Sequence, residues 1–182
     1  MQTLTPTAAG RGRSALYRNA RSGAWSRIAR GIYLPADAPA TDWDQLEAVT
    51  RRPEATICMT SALAYYDLTD EIPQLLDVAI PRGKRAPVVD GAIRWHRFDP
   101  DTFDLGRNRI QITGSSHEIS IYSPERTIAD CFRLRSSISY EIARDATKEW
   151  LRKGGKPAAL MQVAMQLPRT AAPVLRALEV LA

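Results

Sequence analysis

The order in which strand-like and helix-like stretches follow one another limits this chain more than any single motif in it. The run "QLLDVAIP" (74–81) is apolar, ends at a proline and reads as a buried strand. "AIRWHRF" (92–98) alternates apolar and polar residues, the pattern of a half-exposed strand. "RIQIT" (109–113) and "HEISIYS" (117–123) are joined by Gly-Ser-Ser, which predicts a hairpin. After residue 123 strand signals stop. "SPERTIADCFR" opens a helix with Ser123 as N-cap, Pro124 at the first helical position and Glu125 in the first turn. "SYEIARDATKEWLRKGG" sets Ile138, Ile142, Ala146, Trp150 and Leu151 on one stripe and closes on Gly154-Gly155. "KPAALMQVAMQLP" stops at Pro168, and "TAAPVLRALEVLA" is a last apolar helix. Strands grouped together and helices grouped after them predict an α+β protein with a helical end.

Upstream, "WDQLEAVTRR" is an amphipathic helix capped by Thr41 or Asp42. "MTSALAYYDL" is a small-residue helix with Leu63 and either Tyr66 or Tyr65 toward the core. "PADAPATD" (35–42) reads as a linker, and "RGKRAPVVDG" as a basic loop.

The first 35 residues differ from the rest. They hold six arginines and no acid, and Asp37 is the first acidic residue. Residues 36–80 then carry nine acids against two arginines. Residues 81–113 and 114–182 are each mildly basic, at +3. Charge segregated in this way bears on partners more than on fold, and phosphate is the natural partner of the head. Within the head, "LTPTAAG" (4–10) and "SALYRNARSG" (14–23) predict two short helices. In the second, Leu16 and Ala20 share one face and Ser14, Arg18 and Arg21 another. In "AWSRIARGIYLP", Trp25 to Ile28 and Ile32 to Leu34 are strand formers, and the Ala-Arg-Gly between them predicts a hairpin with Arg30 at its tip. A short helix with two arginines and an asparagine on show suits the DNA major groove. A hairpin tipped by arginine after it is the layout of a winged helix-turn-helix, and its tip reaches a phosphate or the minor groove.

Length and composition fit one medium domain or a domain with a small appendage: 182 residues, 45% hydrophobic and 25% charged. No apolar run approaches the roughly 20 residues needed to span a bilayer, and the start lacks the apolar core of a secretory signal. Cys58 and Cys131 lie far apart with no C-x-x-C pairing, so both read as buried small hydrophobes in a reducing cytoplasm.

Catalytic patterns are absent. His96 and His117 lie in predicted strands without a ligand-spaced neighbour. "GSSHEIS" has the Gly-Ser of a nucleotidyltransferase loop, but that chemistry needs two carboxylates one residue apart, and Ser120 stands where the second belongs. Asp77 has the position for a nuclease acid, but no acid-x-lysine pair follows it. Glu125, Arg126 and Asp130 read as capping and surface pairing. No catalytic residue, metal ligand or cofactor is expected.

The succession "ARSGAWSRIARGIYLP", "SALAYYDL", "LLDVAIPRGKR", "YSPERTIADCFR" resembles the AbiEi family of antitoxins, from type IV toxin–antitoxin systems of the abortive-infection kind. The resemblance runs from about Thr5 to the C-terminal helices. It implies an N-terminal winged helix-turn-helix that binds inverted repeats in its own promoter and represses the operon, and a larger C-terminal domain that opposes a nucleotidyltransferase-like toxin without needing a stable complex. Carried over by position, 1–35 is the DNA-binding head and 36–182 the antitoxin domain, of mixed α/β character and ending in helices. Ser14 to Arg21 is the recognition helix and Trp25 to Leu34 the wing. Arg13, Ser14, Tyr17, Arg18, Asn19, Arg21, Arg27 and Arg30 are the implied DNA contacts. The head is expected to be partial, because the family's first helix precedes the one near Thr5 and only four residues do so here. Two other readings stay open: an interaction module derived from such an antitoxin with DNA binding impaired, and a nuclease-related enzyme using Asp77 and Glu118.

Overall fold

The computed structural model describes the backbone of residues 25–29 and 32–35, and residues 42–88, 92–134 and 137–181 in full. The two helices expected in the head lie outside these residues, as do Arg13, Ser14, Tyr17, Arg18, Asn19, Arg21 and Arg30 and most of the expected linker. The described residues form an α+β fold with six α-helices and a five-stranded mixed sheet, beside a separate two-stranded hairpin. A winged helix-turn-helix is not shown.

The hairpin is the expected one. Strands β1 (Trp25–Ala29) and β2 (Ile32–Pro35) pair antiparallel, with Trp25 opposite Pro35 and Ala29 opposite Ile32. An irregularity in register falls between Arg27 and Ala29. Pro35 closes β2, where its missing N–H does least harm.

Helix α1 (Trp43–Arg51) starts at Asp42, whose side chain accepts from Gln45 N at 3.1 Å. It ends at Arg52, which is extended as a residue before proline must be. Its inward face, with Leu46 and Ala48 fully buried, covers one side of the main sheet.

The main sheet has the strand order β5-β4-β3-β7-β6: β3 (Thr56–Ile57), β4 (Leu76–Pro81), β5 (Ile93–Phe98), β6 (Arg107–Gln111) and β7 (Glu118–Tyr122). The β6–β7 hairpin is the one predicted from Gly-Ser-Ser. Central β3 pairs antiparallel with β4 and parallel with β7. Strands β4 and β5 are parallel neighbours although only residues 82–92 connect them. That connection is shorter than the dozen or more residues usual for a parallel crossover. Alternation divides the two faces. Ile57, Val78, Ile119 and Ile121 meet α1. Cys58, Ala79, Phe98 and Tyr122 join the core built with the C-terminal helices.

Helix α2 (Met59–Tyr65) links β3 to β4, with Leu63 buried, Tyr66 half-buried beyond its end and Tyr65 exposed. Helix α3 (Pro124–Arg133) begins as expected: Ser123 Oγ accepts from Arg126 N at 3.3 Å. It is buried from Arg126 to Phe132 because α2, α4 (Tyr140–Arg152), α5 (Pro157–Gln166) and α6 (Ala171–Leu181) all pack on it. In α4 the buried stripe is Ala143, Ala146, Thr147 and Trp150, with Ile142 and Leu151 at its margin. The chain then folds back so that Gly155 lies against the Trp150 ring. No helix among the described residues is long and apolar enough to cross a membrane.

Candidate functional site

Of the residues expected to meet DNA, Arg27 lies on a described element, in β1 across from Tyr33.

In the body, Asp77 and His96 form the most enclosed polar pair on the sheet. They sit on neighbouring strands, where Asp77 is in register with Arg94 and Ala79 with His96. The period-two alternation of strands puts Asp77, Arg94 and His96 on one face. Asp77 Oδ1 is 2.8 Å from His96 Nε2 and 3.5 Å from Arg94 Nη1, and its side chain is only 4% exposed. The Asp77 amide donates to Ser61 Oγ at 2.9 Å. The carboxylate is thus neutralised by its own neighbours, which is how a buried charge is tolerated.

Glu118, the other acid of the nuclease reading, lies elsewhere. Ile57 is in register with both Val78 and Ile121, so Asp77 falls in the row of Tyr122. Glu118 is four residues from that row along β7, about 13 Å at the rise of a strand. It is exposed and faces Arg109 at 3.6 Å. The two carboxylates share no site. Among the described residues no group of three or more His, Cys, Asp or Glu is placed to hold a metal ion.

His117 belongs to the β6–β7 turn, where its Nδ1 is 3.0 Å from Ser115 Oγ. Both cysteines are free and buried. Burial pushes the Cys58 and Cys131 thiols well above their ordinary range, and nearby carboxylates push the same way.

One expectation is corrected. Arg126 and Asp130 are not a surface pair: both are fully buried. Arg126 Nε donates to Asp130 Oδ2 at 2.8 Å, and Nη1 donates to the carbonyls of Thr102 and Leu105 at 2.6 and 2.9 Å. The guanidinium lies over the Tyr122 ring, 4.6 Å from its centroid. Asp130 Oδ1 also accepts from Arg133 Nη2 at 2.7 Å. Tyr122 in turn donates its hydroxyl to Phe103 O at 2.8 Å, and its burial raises its phenol. The i, i+4 spacing of Arg126 and Asp130 is real. The segment that closes over the pair, residues 99–106, comes from elsewhere in the chain and leaves no local signal.

Sequence reasoning also passed over a cleft where the end of α5 turns into α6. It measures about 650 Å³ and is lined by Phe132, Arg133, Met165, Leu167, Arg169 and Arg176, among others.

No protein-family model and no curated protein matches the chain. A solved structure, that of the RV2827C protein from Mycobacterium tuberculosis, is similar over 95% of this chain and 86% of that one, with a TM-score of 0.50 and 17% sequence identity. At that identity the likeness is one of fold alone.

Proposed function

We propose that this chain is a non-enzymatic antitoxin of a type IV toxin–antitoxin system, of the AbiEi kind, and that it represses its own promoter. The observation that carries the reading is the acid-free basic head ending in an antiparallel hairpin. Six arginines ahead of Asp37 make a phosphate-seeking surface, and the β1–β2 hairpin follows the segment 14–23 in the order that a recognition helix and its wing require. In this reading Arg18 and Arg21 reach base edges or phosphates, and Arg27 and Arg30 hold the flanking backbone. The body, 36–182, opposes a nucleotidyltransferase-like toxin. The absence of catalysis is supported by Asp77, whose carboxylate is taken up by His96 and Arg94, and by its separation from Glu118.

The test is a mobility shift with the DNA upstream of the chain's own reading frame. Binding that weakens steeply with salt, and that Arg18→Ala/Arg21→Ala reduces without altering the circular dichroism, is the expected result. No shift, or a flat salt response, favours an interaction module without a DNA role. Magnesium- or manganese-dependent cleavage of nucleic acid that disappears in Asp77→Ala overturns the non-enzymatic assignment.

A further inference from the structure

We propose that the cleft between the end of α5 and the start of α6 binds a phosphate-bearing small ligand through Arg133, Arg169 and Arg176. The cleft, of about 650 Å³, lies in the size range of small-ligand sites. Its cations come from three separate places: Arg133 ends α3, Arg169 sits in the turn 167–170, and Arg176 lies within α6. Among the described residues no carboxylate lines it.

Each arginine is available in a different way. Arg133 is held from behind, because Asp130 takes its Nε and Nη2 and the Phe98 ring lies under its guanidinium. Among the described residues nothing accepts from its Nη1. Arg169 is exposed, pairs with no acid among the described residues, and has φ of 60°, a left-handed conformation that residues with a Cβ seldom adopt. Arg176 is exposed, and its one contact among the described residues is long, 3.4 Å from Nε to Ala172 O of its own helix. Three arginines lining one cleft offer planar guanidinium forks that match the oxygens of a phosphate group. The arginines define the site, and the first-turn residues Ala171 and Ala172 of α6, which line the same cleft, add their backbone polarity to it.

The surroundings point to a small ligand in preference to a nucleic-acid strand. Phe132, Met165, Leu167 and Pro168 give the cleft an apolar floor that accepts a flat or apolar body beside the phosphate. Past Met165, Leu167 and Pro168 the surface becomes acidic, with Asp99 and Asp101 lining an adjoining depression. A long polyanion crossing the arginines meets those carboxylates, whereas a single phosphate stays clear of them. The inference is independent of the DNA-binding head.

The experiment is calorimetric titration of the full chain at low ionic strength with three probes: inorganic phosphate, adenosine 5′-monophosphate and adenosine. Both phosphate-bearing probes are expected to bind and adenosine is not. Binding weakens by about tenfold or more in Arg169→Gln/Arg176→Gln, whose circular dichroism matches the parent, since two charge-assisted contacts are lost. Tighter binding of the nucleotide than of phosphate assigns the site to nucleotides, and equal binding assigns it to the phosphate group alone. Three results overturn the proposal: no binding of either phosphate probe at millimolar concentration, undiminished binding in Arg169→Gln/Arg176→Gln, or binding of adenosine as tight as that of adenosine 5′-monophosphate.

Discussion

Arg126 and Asp130, one helical turn apart in α3, make a 2.8 Å ion pair in which neither side chain reaches solvent. The pair is also the junction between the helical layer and the segment 99–106, because Arg126 holds the Thr102 and Leu105 carbonyls. Asp130→Ala leaves two arginines without their shared acceptor and is expected to lower stability by about 3–5 kcal/mol. Replacing both partners, Arg126→Met with Asp130→Leu, recovers little here, since the two carbonyls lose their donor. Urea unfolding of the single and double variants measures both effects.

Alkaline pH should destabilise the fold. Burial raises the pKa of the Cys58 and Cys131 thiols above the ordinary 9.0 and that of the Tyr122 phenol above the ordinary 10.0. These groups stay protonated in the native state while the unfolded chain ionises. Their contribution is therefore fully present below about pH 9 and is lost as pH rises past it. The slope is about 1.4 kcal/mol per pH unit for each group that ionises only on unfolding. Unfolding titrations between pH 8 and 10.5 are expected to show this fall, and Cys58→Ala/Cys131→Ala to flatten its first part.

Two adjacent glycines are expected to respond differently to alanine. At Gly155 a Cβ would overlap the Trp150 ring at Cδ2 and Cε2, so the buried indole must move, at a cost of about 2–3 kcal/mol. At Gly154 there is open space but a φ of +88°, so only backbone strain of about 1 kcal/mol is added. Thermal melts of Gly155→Ala and Gly154→Ala rank the two.

On the antitoxin reading, Arg27→Ala removes one phosphate contact of the wing. The dependence of log affinity on log salt should become shallower by about 0.9, with weakening that is the same for the operator and for unrelated duplex. A loss confined to the operator would instead make Arg27 a base reader.

Where local rules decide, the sequence and the structure agree. Asp42 and Ser123 cap their helices, Pro124 takes the first helical position, and the Gly-Ser-Ser turn joins β6 to β7. Strands β4 and β5 lie within the runs 74–81 and 92–98. What stayed hidden depends on residues distant in sequence. Thr56 and Ile57 form a strand only because β4 and β7 flank them, and two residues are too few for any periodicity. Arg126 reads as a surface partner of Asp130 until residues 99–106 close over it. The arginine cleft draws on 132–133 and 165–176, which no window along the chain brings together.

The position of β3 also bears on how the protein is made. Ile57 pairs on one side with Val78, close by in sequence, but on the other with Ile121, far along the chain. Until synthesis passes Tyr122, the inner edge of the growing sheet has nothing to bond to. A nascent chain halted before Glu118 presents an open strand edge beside the apolar Ile57 and Val78, the kind of surface on which unfinished chains adhere to one another. Of the five strands, β7 is the one that covers that edge, and β6 beyond it completes the order β5-β4-β3-β7-β6.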